Sequence, residues 1–216
     1  MGALTRYGLA RLTVSQRYLP PVLLFLAVVV VLTTEPGGSL FARYAACAFA
    51  QFLSMAWLTV VVVNGEDPVE RSVTVVAAGG ARRVLLADVL AVGAVHAGLV
   101  VFGLLYPLHA GTGPAAAVAV GLVAQLTAGA AGISVGLPCS RLVVPRPGYA
   151  VLTALTLVLL MLLVPYPPAV NPTLRLLSHP ADAGAVLGPL LVQAGGAAAM
   201  LACSITLTHA VARRRA

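Results

Sequence analysis

Long apolar segments with almost no charged side chains constrain this 216-residue chain more than any other feature. Lysine, arginine, aspartate and glutamate make up 9% of the residues, against roughly 25% in a typical soluble domain. The mean hydropathy is +1.01. A globule in water could not cover so much apolar surface with so few polar side chains, so the sequence predicts that the chain is folded in lipid.

Six of these segments have the length and composition of transmembrane helices, which need about 20 mostly apolar residues. The fifth is the shortest. No fixed repeat and no second domain are indicated, so the sequence predicts an all-α integral membrane protein with a single transmembrane domain over residues 1–216. The spans are expected at about residues 18–34, 44–63, 84–106, 114–137, 149–165 and 186–211.

The placement of arginine predicts the orientation, because positively charged loops stay in the cytoplasm. All 13 basic residues are arginine. If both termini are cytoplasmic, only Arg43 and Arg175 lie outside. A multi-pass protein of the bacterial cytoplasmic membrane is therefore expected. The inner arginines are then Arg6, Arg11, Arg17, Arg71, Arg82, Arg83, Arg141, Arg146, Arg213, Arg214 and Arg215.

The segment between the second and third spans carries signals for a short cytoplasmic helix at about 67–79. Asp67 can cap backbone N–H groups, Pro68 fits a first helical turn, and the glycine pair that begins at Gly79 can end the helix. The β-branched run at 73–76 lowers the helix propensity, so packing against lipid headgroups or a partner must help. An ordinary capped loop helix is the plainer alternative.

Two further short helices are predicted. Residues 2–17 mix leucines with arginines, which suits a helix lying along the inner interface, although a frayed basic tail fits as well. Before the last span, Asn171 followed by Pro172 is typical of an N-cap and a first-turn proline. A short outer or re-entrant helix is therefore expected at about 172–178.

The layout resembles the type-2 ABC exporter permeases. The resemblance rests on the basic N-terminal stretch, the six spans, the acidic capped helix after the second span, and the sequence GGARRVLLAD at 79–88 leading into the third span. The proline-rich outer segment with NPTL at 171–174 is similar to theirs as well. The resemblance covers nearly the whole chain in layout, through short motifs.

The resemblance implies that the helix at 67–79 is a coupling helix, which in this family docks into a groove on a separate ATPase subunit. It implies a second permease protomer, either the same chain or a sister chain. The chain has no G-x-x-x-x-G-K-[ST] motif and no lysine, so ATP and Mg²⁺ are expected on the partner and no cofactor on this chain. The resemblance places six charged residues at or beside the ATPase contact: Glu66, Asp67, Glu70, Arg71, Arg82 and Arg83.

A few polar side chains lie inside the predicted spans. Asp88 is one turn into the third span and is expected to pair with Arg82 or Arg83. His96, Gln51, Gln125 and Gln193 fall at a similar depth by helical rise. This layer either lines a substrate path or forms hydrogen bonds between neighbouring helices.

Small residues recur on the fourth and sixth spans, where they allow close helix packing. One such face is expected to close the bundle, and the other to meet a second protomer. The G-x-S-x-G pattern at 132–136 lies inside an apolar span and is interpreted as packing. The three cysteines are far apart, which indicates neither disulfides nor a metal site. The faces comprise Ala124, Ala128, Gly132 and Gly136 on the fourth span and Gly195, Ala199 and Cys203 on the sixth.

These observations favour a non-enzymatic function: the permease subunit of an ATP-driven exporter that moves a hydrophobic or amphipathic substrate. One alternative is a membrane anchor or regulatory subunit that uses the same cytoplasmic helix without transport. Another is a proton-coupled carrier that uses His96 and Asp88. The arginines lie between apolar segments and not on one face with aromatic partners, so membrane lipid is an expected partner and nucleic acid is not.

Overall fold

The computed structural model describes residues 2–34, 39–110, 114–144, 146–165, 170–178 and 183–215, and none of these residues lies in a β-strand. A 3₁₀ turn, Tyr106–Ala110, extends the fifth helix. The helices are α1 (Gly2–Ser15), α2 (Leu19–Thr33), α3 (Leu40–Val63), α4 (Pro68–Ala78), α5 (Ala81–Leu105), α6 (Ala115–Gly136), α7 (Pro147–Leu163), α8 (Val170–Ser178) and α9 (Ala183–Arg215).

Four helices, α3, α5, α6 and α9, are long and apolar enough to cross a membrane. They coincide with the predicted spans at 44–63, 84–106, 114–137 and 186–211. Helices α1 and α2 reach that length only as a pair bent by 77°, and α7 is a shorter apolar helix. The fold is therefore that of an all-α, multi-pass membrane protein with four candidate spans, or five with the bent pair.

The centre of the bundle is the pair α3 and α6, whose backbones lie close together. A Cβ atom on Gly136 would lie 2.6 Å from the carbonyl oxygen of Ala56, and one on Gly132 would lie 3.0 Å from the backbone nitrogen of Ala56. Only glycine permits this approach. The small-residue face of the fourth span is thus an internal packing face against α3.

Helix α9 lies at the periphery of the bundle. Of its most apolar 18 residues, 17% are buried, compared with 72% in α3. The small residues Gly195, Ala199 and Cys203 are all exposed, and a Cβ atom on Gly195 would meet nothing within 4 Å. This face therefore points outward, towards lipid or another protein.

Helix α1 lies against α5, and a Cβ atom on Gly8 would lie 3.5 Å from the Cβ of Ala91. The bend between α1 and α2 occurs at Gln16, whose φ of 53° is in the left-handed region. Leu12 is buried. Residues 2–15 are therefore a packed helix and not a frayed tail.

Helix α4 begins and ends at the residues that the sequence indicated. The carboxylate of Asp67 accepts a hydrogen bond of 2.9 Å from the backbone N–H of Val69. Gly79 has a φ of 72°, and the N–H of Gly80 donates to the carbonyl of Val75 at 2.9 Å. An N-terminal cap and a left-handed C-terminal glycine thus set the length of this helix.

The predicted cap of the outer helix is wrong. Helix α8 begins at Val170, so Asn171 lies inside its first turn. The side-chain amide of Asn171 donates to the carbonyl of Leu162 at the end of α7. The helix can start earlier because Pro172 still falls within the first turn, where its missing N–H costs no hydrogen bond.

Candidate functional site

Several segments that are distant in sequence meet at one end of the bundle, which we name the basic end. It comprises α1, α4, the first turn of α5, the turn at 137–144 and the last turns of α9. The backbone N–H of Arg141 donates to Oδ1 of Asn64 at 2.8 Å, which ties the turn at 137–144 to the end of α3. The Arg17 guanidinium donates to the carbonyl of Gly65 at 3.5 Å.

Four charged side chains at the basic end form an ion network. Arg11 lies 2.6 Å from one carboxylate oxygen of Glu66. Arg71 lies 3.5 Å from the other oxygen of Glu66 and 3.4 Å from Oδ2 of Asp88. Thr74 donates to Glu66 at 3.4 Å. Two guanidinium groups thus balance two carboxylates.

The ion network is largely shielded from water. The side chains of Glu66 and Asp88 are 2% and 7% exposed, and those of Arg11 and Arg71 are 18% and 15% exposed. A buried charge is tolerated only when it is paired. Because the network joins α1, the α3–α4 loop, α4 and α5, each of these elements depends on the others for charge compensation.

The partner predicted for Asp88 is therefore wrong. Asp88 pairs with Arg71 of α4, and not with Arg82 or Arg83. Arg82 and Arg83 precede Asp88 by six and five residues on the same helix, which puts them on other faces of α5. Arg83 instead donates to the carbonyl of Ala78 at 3.1 Å, at the end of α4.

The outward face of α4 is apolar. Val69, Val73 and Val76 are 72%, 64% and 82% exposed. Their spacing puts them on one side of the helix, and we name them the valine stripe. Glu70 is exposed beside them and accepts a hydrogen bond of 3.3 Å from the hydroxyl of Tyr7. The helix thus presents an uncovered apolar surface with a charged edge.

The six residues expected at the ATPase contact divide into two groups. Glu66 and Arg71 point into the protein, where they belong to the ion network. The other four, Asp67, Glu70, Arg82 and Arg83, are exposed at the basic end.

The polar residues expected at mid-span are all buried, and three of them lie among α3, α5 and α6. The side-chain amide of Gln51 contacts Nδ1 of His96. The imidazole of His96 lies directly over Gly129 of α6, and the amide of Gln125 lies over Gly103 of α5. Gln51 and Gln125 have no exposed surface. The three side chains therefore face neighbouring helices of the same chain.

Gln193 is separate from the other three. It lies on α9 and lines an open cavity of about 470 Å³ beside α8, at the end of the bundle opposite the basic end. The remaining lining residues of that cavity are Pro165, Pro172, Arg175, Leu176, Ala185, Val186 and Pro189.

An apolar groove of about 520 Å³ lies between α3, α6 and α7. Its walls include Leu53, Trp57 and Val158, and its polar groups, Asn64 and Arg141, are at the basic end. Trp57 is 45% exposed. The groove is therefore amphipathic, with apolar walls and a polar end.

The sequence did not single out Arg11, Asn64 or Arg141, although all three organise the basic end. Asn64 followed by Gly65 is a turn signal after an apolar segment, so a turn at Asn64 could be predicted from the sequence. The contacts of Arg11 and Arg141 could not be predicted, because they join residues 55 or more positions apart. Arg11 contacts Glu66, and Arg141 contacts Asn64.

No family model, no curated protein and no solved structure matches this chain. The helices by themselves define the class, a multi-pass all-α membrane protein. What such a protein does must be argued from its surfaces and buried charges.

Proposed function

We propose that this chain is the permease subunit of an ATP-driven ABC exporter in the bacterial plasma membrane, coupled to a separate ATPase subunit that binds ATP and Mg²⁺. The observation that carries the proposal is α4. It is a capped helix that exposes the valine stripe and is tied from its inner side to the bundle by the ion network.

The valine stripe suits a protein partner. Protein interfaces have an apolar core and a polar rim, and Val69, Val73 and Val76 are bordered by Asp67 and Glu70. Without a partner, the three largely exposed valines would leave apolar surface in contact with water. A groove on an ATPase subunit would cover them.

The ion network supports a role in transmitting movement. A displacement of α4 alone would separate Arg71 from Asp88 or Glu66 and leave buried charges uncompensated, which is costly. Movement of α4 is therefore expected to carry α1 and α5 with it. A shift driven by ATP at the partner would in this way reach the spans and open the path alternately to each side.

The proposal includes six spans with both termini in the cytoplasm. The arginines of the basic end favour the cytoplasmic side. Helices α2 and α7 have 15 and 17 residues, which corresponds to about 22 and 26 Å of rise. These lengths fall short of a hydrocarbon core of about 30 Å, and local thinning of the bilayer would let both helices cross.

The groove between α3, α6 and α7 is the proposed contact for the substrate. Its apolar walls and its polar end at Asn64 and Arg141 suit a hydrophobic or amphipathic molecule that enters from the bilayer. A second protomer, identical or a sister chain, would complete the path. The buried Gln51, His96 and Gln125 are then packing contacts between helices, and Gln193 lines the cavity beside α8.

Co-purification tests the proposal. The tagged full chain is extracted in mild detergent, the bound proteins are identified by mass spectrometry, and ATPase activity is measured. Val73→Asp puts a charge in the valine stripe, and Val14→Asp is a matched control because Val14 is 84% exposed on α1. We expect a subunit with Walker motifs to co-purify with the wild type and with Val14→Asp, and to be lost with Val73→Asp.

Two results would overturn the proposed exporter function. Equal recovery of the ATPase with the wild type and with Val73→Asp would show that α4 is not the docking helix. A stoichiometric partner without nucleotide-binding motifs would favour the anchor or regulatory alternative, which uses the same surface without transport.

A further inference from the structure

A further cavity, of about 480 Å³, opens at the basic end between α4, α5, the turn at 137–144 and α9. Its polar lining consists of three basic residues and one serine, and no aspartate or glutamate is among the described residues that line it. The lining residues are Arg71, Ser72, Val75, Val76, Ala81, Leu85, Arg141, Leu142, His209 and Ala212.

The three basic residues differ in the partners they already have. Arg71 is balanced by Glu66 and Asp88 in the ion network. Within the described part of the chain, no carboxylate lies within ion-pair distance of the Arg141 guanidinium. Nδ1 of His209 is shielded from solvent and makes no hydrogen bond to any described residue. The cavity therefore offers an uncompensated positive charge and a ring nitrogen without a partner.

The cavity lies where two candidate spans reach the bilayer boundary. The span that contains α5 begins at Ala81, and the span that contains α9 ends at Arg214. Ala81 and Ala212 line the cavity, and so do the apolar Leu85 and Leu142. A ligand here would have its head among basic groups and its tail beside lipid-facing helices.

We propose that this cavity binds the phosphate headgroup of an anionic phospholipid from the surrounding leaflet. Guanidinium groups pair well with phosphate oxygens, and basic pockets between transmembrane helices at the cytoplasmic side are suited to such headgroups. The volume is within the range of small-ligand pockets. The proposal does not depend on an ATPase partner, since it rests on the cavity alone.

Occupancy of the site would be linked to the position of α4. Ser72, Val75 and Val76 of α4 form one wall of the cavity, and Arg71 of the same helix belongs to the ion network. A ligand that binds better to one position of α4 stabilises that position, and the coupling is reciprocal. The bound lipid would therefore bias the helix that carries the valine stripe.

Native mass spectrometry of the full chain tests the site. The protein is equilibrated with equal amounts of phosphatidylglycerol and phosphatidylcholine of the same acyl chains, and the retained lipids are counted. We expect phosphatidylglycerol to be retained preferentially, and Arg141→Gln to reduce its retention about fivefold, the size expected for one arginine near an anionic headgroup. His209→Gln is expected to weaken retention in the same direction.

Arg146→Gln is the matched control, because Arg146 is exposed in the same region and does not line the cavity. Ala212→Phe is a second variant that narrows the cavity without removing charge, and it should also lose the lipid. Circular dichroism checks that each variant is folded. Equal retention of the two lipids, or an equal effect of Arg141→Gln and Arg146→Gln, would overturn the proposal.

Competition distinguishes the source of the phosphate. Short-chain phosphatidylglycerol should displace the retained lipid, whereas inorganic phosphate at the same concentration should not. If inorganic phosphate displaces the retained lipid and short-chain phosphatidylglycerol does not, the cavity binds a soluble anion and the lipid proposal is overturned.

Discussion

At the residue scale, Glu66 is the central member of the ion network. It lies 2.6 Å from the guanidinium of Arg11 and accepts a hydrogen bond of 3.5 Å from Arg71, and its side chain is 2% exposed. Glu66→Gln keeps the shape but leaves two buried guanidinium groups with Asp88 as their only carboxylate. We expect a loss of about 3 kcal/mol in the free energy of unfolding, measured by denaturant titration in detergent.

The matched control for Glu66→Gln is Glu70→Gln. Glu70 is exposed, and its contact with the Tyr7 hydroxyl is a surface hydrogen bond. Such a substitution is expected to change stability by less than about 0.5 kcal/mol. Similar losses for the two variants would show that the ion network does not stabilise the fold.

Gly129 is a second residue whose substitution has a clear expectation. A Cβ atom there would overlap the imidazole of His96, which contacts Gln51. Gly129→Ala should destabilise the protein by about 1–3 kcal/mol through overpacking. Gly98→Ala on α5 is the control, since a Cβ atom there meets nothing within 4 Å. Thermal unfolding in detergent measures both, and equal melting temperatures would contradict the expectation.

At the element scale, the two small-residue faces behave differently in the structure. Gly132 of α6 lies against the backbone of α3, whereas Gly195 of α9 faces outward. Gly132→Leu should therefore prevent the folded bundle from forming, while Gly195→Leu should leave the chain folded. Gel filtration in detergent separates folded protein from aggregate. If Gly195→Leu also aggregates, α9 is not a peripheral helix.

The elements whose signals are local in sequence were predictable, and those that depend on tertiary contact were not. The ends of α4 follow from Asp67 and Gly79, which act on backbone groups a few residues away. The first turn of α8 did not follow the same rule, because Asn171 bonds to Leu162 of α7 instead of capping its own helix. The local pattern was overridden by a tertiary hydrogen bond.

At the scale of the whole molecule, the hydropathy pattern predicted an all-helical membrane bundle with six spans, and four of the six coincide with helices long enough to cross a membrane. It did not predict the basic end. The ion network needs α1 to fold back against α5, and that depends on a 77° bend at a non-glycine residue, Gln16. No periodicity encodes such a bend, so Arg11 and Glu66 could not be paired from sequence.

The orientation of the whole molecule gives the last prediction. If the basic end lies in the cytoplasm, as we propose, a cysteine placed at Arg146 should be protected from a membrane-impermeant maleimide in right-side-out vesicles. One placed at Ser178 on α8, at the opposite end, should be labelled. Both positions are exposed, so protection would reflect the membrane. Labelling at the Arg146 position alone would show that the protein has the opposite orientation in the membrane.

The cysteine-labelling experiment needs only one of the three native cysteines to be replaced. Cys203 is exposed and is replaced by serine, whereas Cys47 and Cys139 are buried. Burial also raises the pKa of the Cys139 thiol to about 11, and the thiolate is the reactive form. Cys139 therefore stays protonated and unreactive at neutral pH, so the signal comes from the introduced cysteine. Labelling of the protein that carries only Cys47 and Cys139 would contradict the burial of Cys47 in α3 and of Cys139 in the turn after α6.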